Sequence, residues 1–516
     1  MVTEGRVPHD SLAERADGGW IADAASCRPT ALVGDTADSG AKLAGIDDHC
    51  RVSEGVFWNA NGARVRGRFV AESGLQAEVS LDGATADDPR VTVEHTATGL
   101  TVTSLSGNPA KDVAAFASIE LLGNLDSGER VSLIGAQNHG FLDKPHYVAR
   151  VAVIGAHVPG DQLYGAVRFR IDALYWTAHL ADGEAYTVPD DGSVLRAVAA
   201  EDGLGMWLVY ESAEPHSARD LEIRVLGGCR TLARLVLDVA VVLRTVEVRI
   251  DQGGDWLHLH SRAFSEPVVG FDQSLLPREE LTVERFAKWI ALNDSLDGLA
   301  SAVDGLGAGT VQTQVLIGTS LVEGLHRRLP YKQSQFPAAP GGARGRVKKA
   351  ARNAAVRRAA MEKGLKELDL VRTALMNAVS HFEDVDYRLR AQNITDVVAS
   401  AVPELVESVP DLPGKLLAAR NELAHHLVLD DEKEPLAVRI DRWVAISYVT
   451  PWLLRLLLLL HAGIEADTLH AACLDSQRFG YFRANVAAIT DELGWLSNPD
   501  LRRFHGKSRA NSAPST

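Results

Sequence analysis

The chain reads as an α+β, multidomain protein: an N-terminal antiparallel β-sandwich-like part followed by an all-α helical bundle. Three observations carry that reading. Residues 51 to about 265 consist of short runs alternating with period two, punctuated by Gly and Asp. From about residue 275 the apolar positions recur at helical spacing instead. With 516 residues, 46% of them hydrophobic and 23% charged, the chain has the length for two or three domains and the apolar material for real cores.

The elements follow in order. Residues 1–50 are rich in Ala, Asp, Gly, Ser and Thr, lack periodicity, and are expected to form a flexible tail. Strands are expected at Ala63–Val70, Val91–His95, Leu100–Thr103, Tyr147–Ile154, Ala166–Ile171, Glu222–Val225 and Val246–Ile250. Many short strands without long helices between them are the pattern of a sandwich or an open barrel. Near Pro277 the period changes. Helices are expected over Leu281–Leu306, Val311–Arg328, Lys348–Ala378, Asn393–Leu405, Gly414–Val428, Pro435–Ala462 and Thr468–Leu493. The division predicted is a β-rich domain over 51–270, a helical domain over 275–500 and a polar tail over 501–516. Gly305 to Thr310 has neither a preceding strand nor GxGxxG spacing, and reads as a turn between helices.

Composition narrows the function classes. A net charge of -15 argues against a chain coated in nucleic-acid-binding charge, yet permits one local basic site. Cys27, Cys50, Cys229 and Cys473 form no CxxC pair, which removes zinc knuckles and dithiol redox chemistry and points to a reducing, cytoplasmic setting. Met1 to Asp10 is polar and no apolar run follows, so no signal peptide is expected. Trp452 to Ile464 is apolar but contains Arg455 and His461, and it falls short of the roughly 20 residues a membrane span needs. It reads as a buried core helix, with no membrane partner. The absence of GxxxxGK[ST] leaves nucleotide hydrolysis without support.

The densest chemistry lies in Arg420-Asn421-Glu422-Leu423-Ala424-His425, followed by His426. On a helix Asn421 and His425 share a face, and Arg420 lies within reach of the same place. A permanent cation, a neutral amide and an imidazole are the parts needed to cleave RNA without metal or cofactor. Histidine moves a proton near neutral pH, and guanidinium holds the phosphorane's charge. Attack by the 2′-hydroxyl leaves a 2′,3′-cyclic phosphate, so RNA rather than DNA is the expected substrate. One motif supplies half of an acid–base pair, which favours a homodimer with two motifs face to face. The same residues also suit an exposed helix C-terminus, where cations meet the macrodipole.

Further candidates surround this one. Glu323 is placed to orient His425 or pair with Arg420, or else to bridge to Arg327 four residues on. The stretch with Arg344, Arg346, Lys348, Lys349 and Arg352, continuing to Arg358, contains no acidic residue and is a candidate RNA contact. Its plainer reading is a solvated face. His258 and His260 share a strand face as a zinc pair would, but no third ligand is evident nearby in the sequence. His146 and His157 are candidate ligand-site residues that more often prove structural.

Arg420, Asn421 and His425, in a C-terminal helical domain and followed by the polar segment Asp430 to Pro435, resemble the HEPN signature, with His426 also at permitted spacing. Leu316 to Arg328 resembles the ALExxHR helix of ApeA-like HEPN proteins. Gly55-Val56-Phe57-Trp58, Val65 to Arg68, Val131 to Gly135, and Val153 to His157 with Phe169 to Trp176 resemble the ApeA N-terminal domain. The resemblance covers roughly residues 52 to 470. It implies a HEPN endoribonuclease of anti-phage, abortive-infection defence, acting on RNA such as tRNA, homodimeric through the helical domain. The β domain would sense a phage-derived trigger. The alternative is a catalytically silent HEPN module that binds RNA or dimerises, with the β domain binding the ligand.

Overall fold

The computed structural model describes residues 50–59, 64–72, 76–83, 91–96, 99–104, 118–139, 145–171, 174–203, 205–238, 241–261, 274–307, 309–334, 341–362, 367–380, 384–407, 409–425 and 434–495. The expected tails, apart from Cys50, lie outside these residues. The described residues all fall within one compact unit, Asp48–Thr516.

The strands are β1 (Cys50–Trp58), β2 (Val65–Glu72), β3 (Glu78–Leu81), β4 (Val91–Thr96), β5 (Gly99–Ser104), β6 (Ile119–Leu125), β7 (Arg130–Asn138), β8 (His146–Val148), β9 (Val151–Ile154), β10 (Leu163–Ile171), β11 (Ala185–Thr187), β12 (Val194–Ala199), β13 (Met206–Ser217), β14 (Leu243–Arg249) and β15 (Leu257–Ser261). All pairings are antiparallel, as the alternation predicts. The expectation of a sandwich gives way to a different closure. β7 pairs with β6 on one edge and with both β8 and β9 on the other. β8 also pairs with β3, so β7-β6-β1-β2-β3-β8 closes into a barrel. The sheet then runs on from β9 as β15-β14-β10-β13-β12-β11. Closure removes edges that would otherwise need covering.

Two cores result. Phe57, Phe69, Val79, Leu121, Leu133 and Tyr147 fill the barrel. The second core begins on one face of the extended sheet, with Phe169, Leu208, Tyr210 and Val248, and continues without a break into the helices. Secondary structure changes between β15 and the first long helix of the C-terminal half, but the apolar core runs across that point.

The helices are α1 (Leu174–Thr177), α2 (Ala218–Leu221), α3 (Gly228–Leu237), α4 (Val283–Ser295), α5 (Leu299–Asp304), α6 (Val311–Arg328), α7 (Gly341–Met361), α8 (Leu368–Ser380), α9 (Tyr387–Ala401), α10 (Pro403–Glu407), α11 (Leu412–His425), α12 (Leu436–His461), α13 (Ala466–Asp475) and α14 (Gln477–Glu492). Thr282, Thr310, Asp386 and Ser476 each cap a helix start by accepting a backbone N–H. The segment from Gly305 to Thr310 does join two helices, α5 and α6.

Six expected elements differ: Tyr147–Ile154 divides into β8 and β9, Asn393–Leu405 into α9 and α10, Thr468–Leu493 into α13 and α14, and three more depart as follows. Glu222–Val225 is not a strand: Ser217 caps α2, a π-helical turn covers Glu222–Gly227, and α3 continues it. Four alternating residues cannot outweigh the burial of Leu221, Val225, Cys229, Leu232 and Val236, which is helical in spacing. Leu281–Leu306 breaks into α4 and α5, because Asp297 and Gly298 adopt left-handed φ of 58° and 82°. Lys348–Ala378 is a hairpin of α7 and α8, not one helix.

Asp238, the left-handed C-cap of α3, accepts from Arg455 on α12 and, at 2.6 Å, from Arg478 on α14. This cluster ties the sheet's own helix to the bundle. In α12 Leu453, Leu454 and Leu456 to Leu459 are all buried. By length and composition α12 is able to cross a membrane, but 67% of its apolar window lies inside the fold. A core helix accounts for it.

Candidate active site

The two segments singled out in the sequence meet through an ion pair. α6 turns Val315, Thr319, Val322 and Leu325 into the core, leaving Glu323 and Arg327 together on a less buried face. α11 buries Leu412, Leu416 and Ala419, and Arg420 flanks that stripe. Arg420 Nη2 lies 2.9 Å from Glu323 Oε2, while Arg327 Nη2 lies 2.7 Å from Glu323 Oε1. Both pairings weighed from the sequence therefore occur at once. The Arg420 guanidinium also stands 5.0 Å from the ring of Tyr387, the first residue of α9.

This geometry sets the electrostatics. Burial alone would raise the Glu323 carboxyl, but the hydrogen bond from Arg327 and the charges of Arg420 and Arg327 outweigh it and hold the group below the usual carboxylate range. Burial pushes the Tyr387 phenol well up, so it stays neutral, and its hydroxyl donates to the Thr319 carbonyl at 3.0 Å. Arg420 is thus held against a fixed aromatic platform by a carboxylate that remains charged.

Asn421, next along α11, is half-buried, and its side chain has no hydrogen-bond partner among the described residues. Glu422 faces elsewhere. It accepts from Trp443 Nε1 at 3.2 Å and pairs with Arg439 at 3.2 Å and Arg442 at 3.3 Å, pinning the end of α11 to the start of α12. His425 is the last residue of α11, and its side chain lies outside the described residues. His426 lies outside them altogether.

Tyr387, Glu422 and Arg439 were not singled out in the sequence. Tyr387 carries no local signal, because its role depends on α9 lying beside both α6 and α11. For Glu422 the only hint was its position inside the hexamer.

His326 is fully buried and stacked on Tyr331 at 4.8 Å. Its Nδ1 lies 3.4 Å from Arg390 Nη1 and its Nε2 lies 3.0 Å from the Asn393 amide. The Asn393 amide nitrogen can only donate, so Nε2 accepts, the neutral imidazole carries its proton on Nδ1, and the longer Arg390 approach is a contact rather than a hydrogen bond. Burial, then the nearby charges of Arg390 and Arg327, lower this imidazole to about 4. It is a neutral structural histidine.

The basic run lies on α7. Arg346 and Lys349 are exposed, while Arg344, Lys348 and Arg352 are half-buried. His258 and His260 lie on the outer face of β15, where His258 Nδ1 approaches Glu247 at 3.3 Å. Among the described residues no group of three or more His, Cys, Asp or Glu is arranged to hold a metal ion. His146 bridges Ser80 and Glu78 at 3.0 and 3.3 Å on the barrel surface. His157 is tied to the Gly123 carbonyl at 3.0 Å.

Comparison of the chain with family models, with curated proteins and with solved structures gives no match.

Proposed function

We propose that the helical region is a metal-independent endoribonuclease of HEPN type, in a protein resembling the ApeA-like family and acting in anti-phage, abortive-infection defence. The observation that carries this reading is the Arg420–Glu323 ion pair. It joins the RNxxxH segment to the ALExxHR-like helix, two stretches 97 residues apart. Arg420 binds the scissile phosphate and balances the charge that builds on it in the transition state. Glu323 and Tyr387 hold Arg420 in position, and Asn421 orients the substrate or an imidazole. His425, with His426 as the alternative imidazole, takes the 2′-hydroxyl proton as that oxygen attacks phosphorus. The bond from phosphorus to the 5′-oxygen breaks, and that oxygen is protonated by the second motif of a homodimer.

The test is incubation of the purified protein with RNA in EDTA, followed by analysis of the product ends. Cleavage that gives cyclic-phosphate ends and is lost in His425→Ala supports the reading. Undiminished cleavage in both His425→Ala and His426→Ala overturns the assignment. RNA binding without cleavage, with any trigger supplied as phage lysate, supports the silent module instead.

A further inference from the structure

Helices α7 and α8 form a hairpin that takes no part in either core. They pack chiefly on each other, with no extensive packing on any other described element. None of their described side chains is buried, whereas Leu329 just before the hairpin and Val385 just after it both are. At about 1.5 Å per residue, α7 is an arm roughly 31 Å long. It carries Arg344, Arg346, Lys348, Lys349, Arg352, Arg357 and Arg358 and no acidic residue, in a chain whose total charge is -15.

The arm is rooted in the frame of the candidate site. It leaves from the end of α6, which carries Glu323, and returns at the start of α9, which carries Tyr387. Its two feet are joined by a β-bridge between Ser334 and Asp384. Gln333 beside that bridge is held by Arg390 at 3.1 Å and donates to the His326 carbonyl at 2.7 Å. Asp384 is three residues from Tyr387, a chain reach of at most about 11 Å.

We propose that this hairpin is a nucleic-acid-binding arm that holds the phosphate backbone of RNA and delivers it to the site at its root. The choice of RNA rests on the ribonuclease reading; the binding surface itself does not. Arg352, Arg357 and Arg372 of the two helices line an open hollow of about 460 Å³ between them, with Val356 and Met376 at its side. Arg372 extends the contact beyond the residues singled out in the sequence. Among the described residues Arg346, Lys349, Arg352 and Arg357 are engaged by no carboxylate. Their cations are free to meet phosphates. At about 100° per residue the seven cations lie all round α7, which leaves no apolar face to enter a bilayer. That distribution favours a polyanion with phosphates on more than one side of the arm over a lipid surface. The acidic remainder of the chain repels RNA elsewhere and so focuses it on the arm.

The experiment is binding of a fluorescently labelled RNA hairpin to the full chain carrying His425→Ala, in EDTA, across a salt series. It is repeated after adding Arg346→Gln, Arg352→Gln and Arg357→Gln together. The expected result is a loss of affinity on the order of 10- to 100-fold. The log–log salt slope should shrink by about 0.7 to 0.9 per cation removed, with an unchanged thermal melt. Equal affinity and slope in the two proteins overturn the proposal. So does tighter binding to phosphatidylserine vesicles than to RNA. Because the readout is binding, failure of the catalytic assignment leaves this result standing, and the reverse holds as well.

Discussion

The outer face of the extended sheet and the α6–α9–α11 cluster use the same chemistry to different ends. On the sheet, Arg168 lies 4.5 and 4.6 Å from the rings of Trp207 and Trp256. Arg170 lies 4.4 Å from Trp207, and Arg249 lies 4.7 Å from Trp256. Glu247 pairs with Arg168, Asp202 with Arg170 at 2.6 Å, and Glu211 with both Arg196 and Arg249. Strand register dictates the ladder: Arg168 stands opposite Glu247 on one side and Val209 on the other. Arg168 lies against two rings and pairs with a carboxylate, all supplied by the sheet itself. Arg420 has one ring and one carboxylate, and its neighbours on α11 are Asn421, without a described partner, and the last helical residue, His425. Under the proposed function this difference in engagement separates a structural arginine from one that meets substrate.

The largest effect that separates the two regions is catalytic. Arg420→Ala should reduce RNA cleavage, or toxicity on expression in cells, by on the order of 10³-fold, because it removes the cation that meets the developing charge. The melting temperature should move little, since the side chain is part-exposed. Wild-type cleavage by Arg420→Ala would erase the distinction drawn between the two arginines.

The converse comes next. Trp207→Ala strips the ring between Arg168 and Arg170 and opens the small core it shares with Ala200 and Val209. A buried tryptophan lost to alanine costs about 3–5 kcal/mol, which a lowered denaturation midpoint will record. Cleavage at moderate temperature should persist. Loss of cleavage without loss of stability would place the sheet face in the chemistry.

How far the sequence disclosed all this depends on the range of the interaction. The alternating runs from Val65 and Ala166 and the helical spacing from Val311 are local, and each matched its element. Glu222–Val225 failed because four residues satisfy either period, and only packing of the π-turn against α4, where Trp289 Nε1 donates to the Gly228 carbonyl at 2.8 Å, decides between them. Barrel closure was not legible, since it turns on one edge of β7 accepting two partners. The core's continuity from Phe169 into the bundle crosses the change of period and leaves no mark in it. Within the candidate site, the pairing of Arg420 with Glu323 was among the alternatives weighed from the sequence, whereas Tyr387 entered only through the tertiary arrangement of α9.

The smallest effect concerns histidine, and it sharpens which imidazole serves chemistry. His326 lies one turn from Glu323 and matches the histidine of the ALExxHR-like segment, yet its environment makes it structural. Burial and the Arg390 and Arg327 charges lower it to about 4, against an ordinary value of 6.5. Above pH 6.5 the folded and unfolded states are both neutral there, and stability is unaffected. As pH falls from about 6.5 towards 4 the unfolded chain takes up a proton that the folded one refuses, and stability drops by at most about 1.4 kcal/mol per pH unit. His326→Gln keeps an acceptor for the Asn393 amide without that proton. Its melting temperature should fall less steeply than the wild type's across this window, while its cleavage keeps the wild type's pH profile. If His326→Gln instead displaces the pH profile of cleavage, the titrating group of the site lies on α6, and His425 and His426 lose their claim to it.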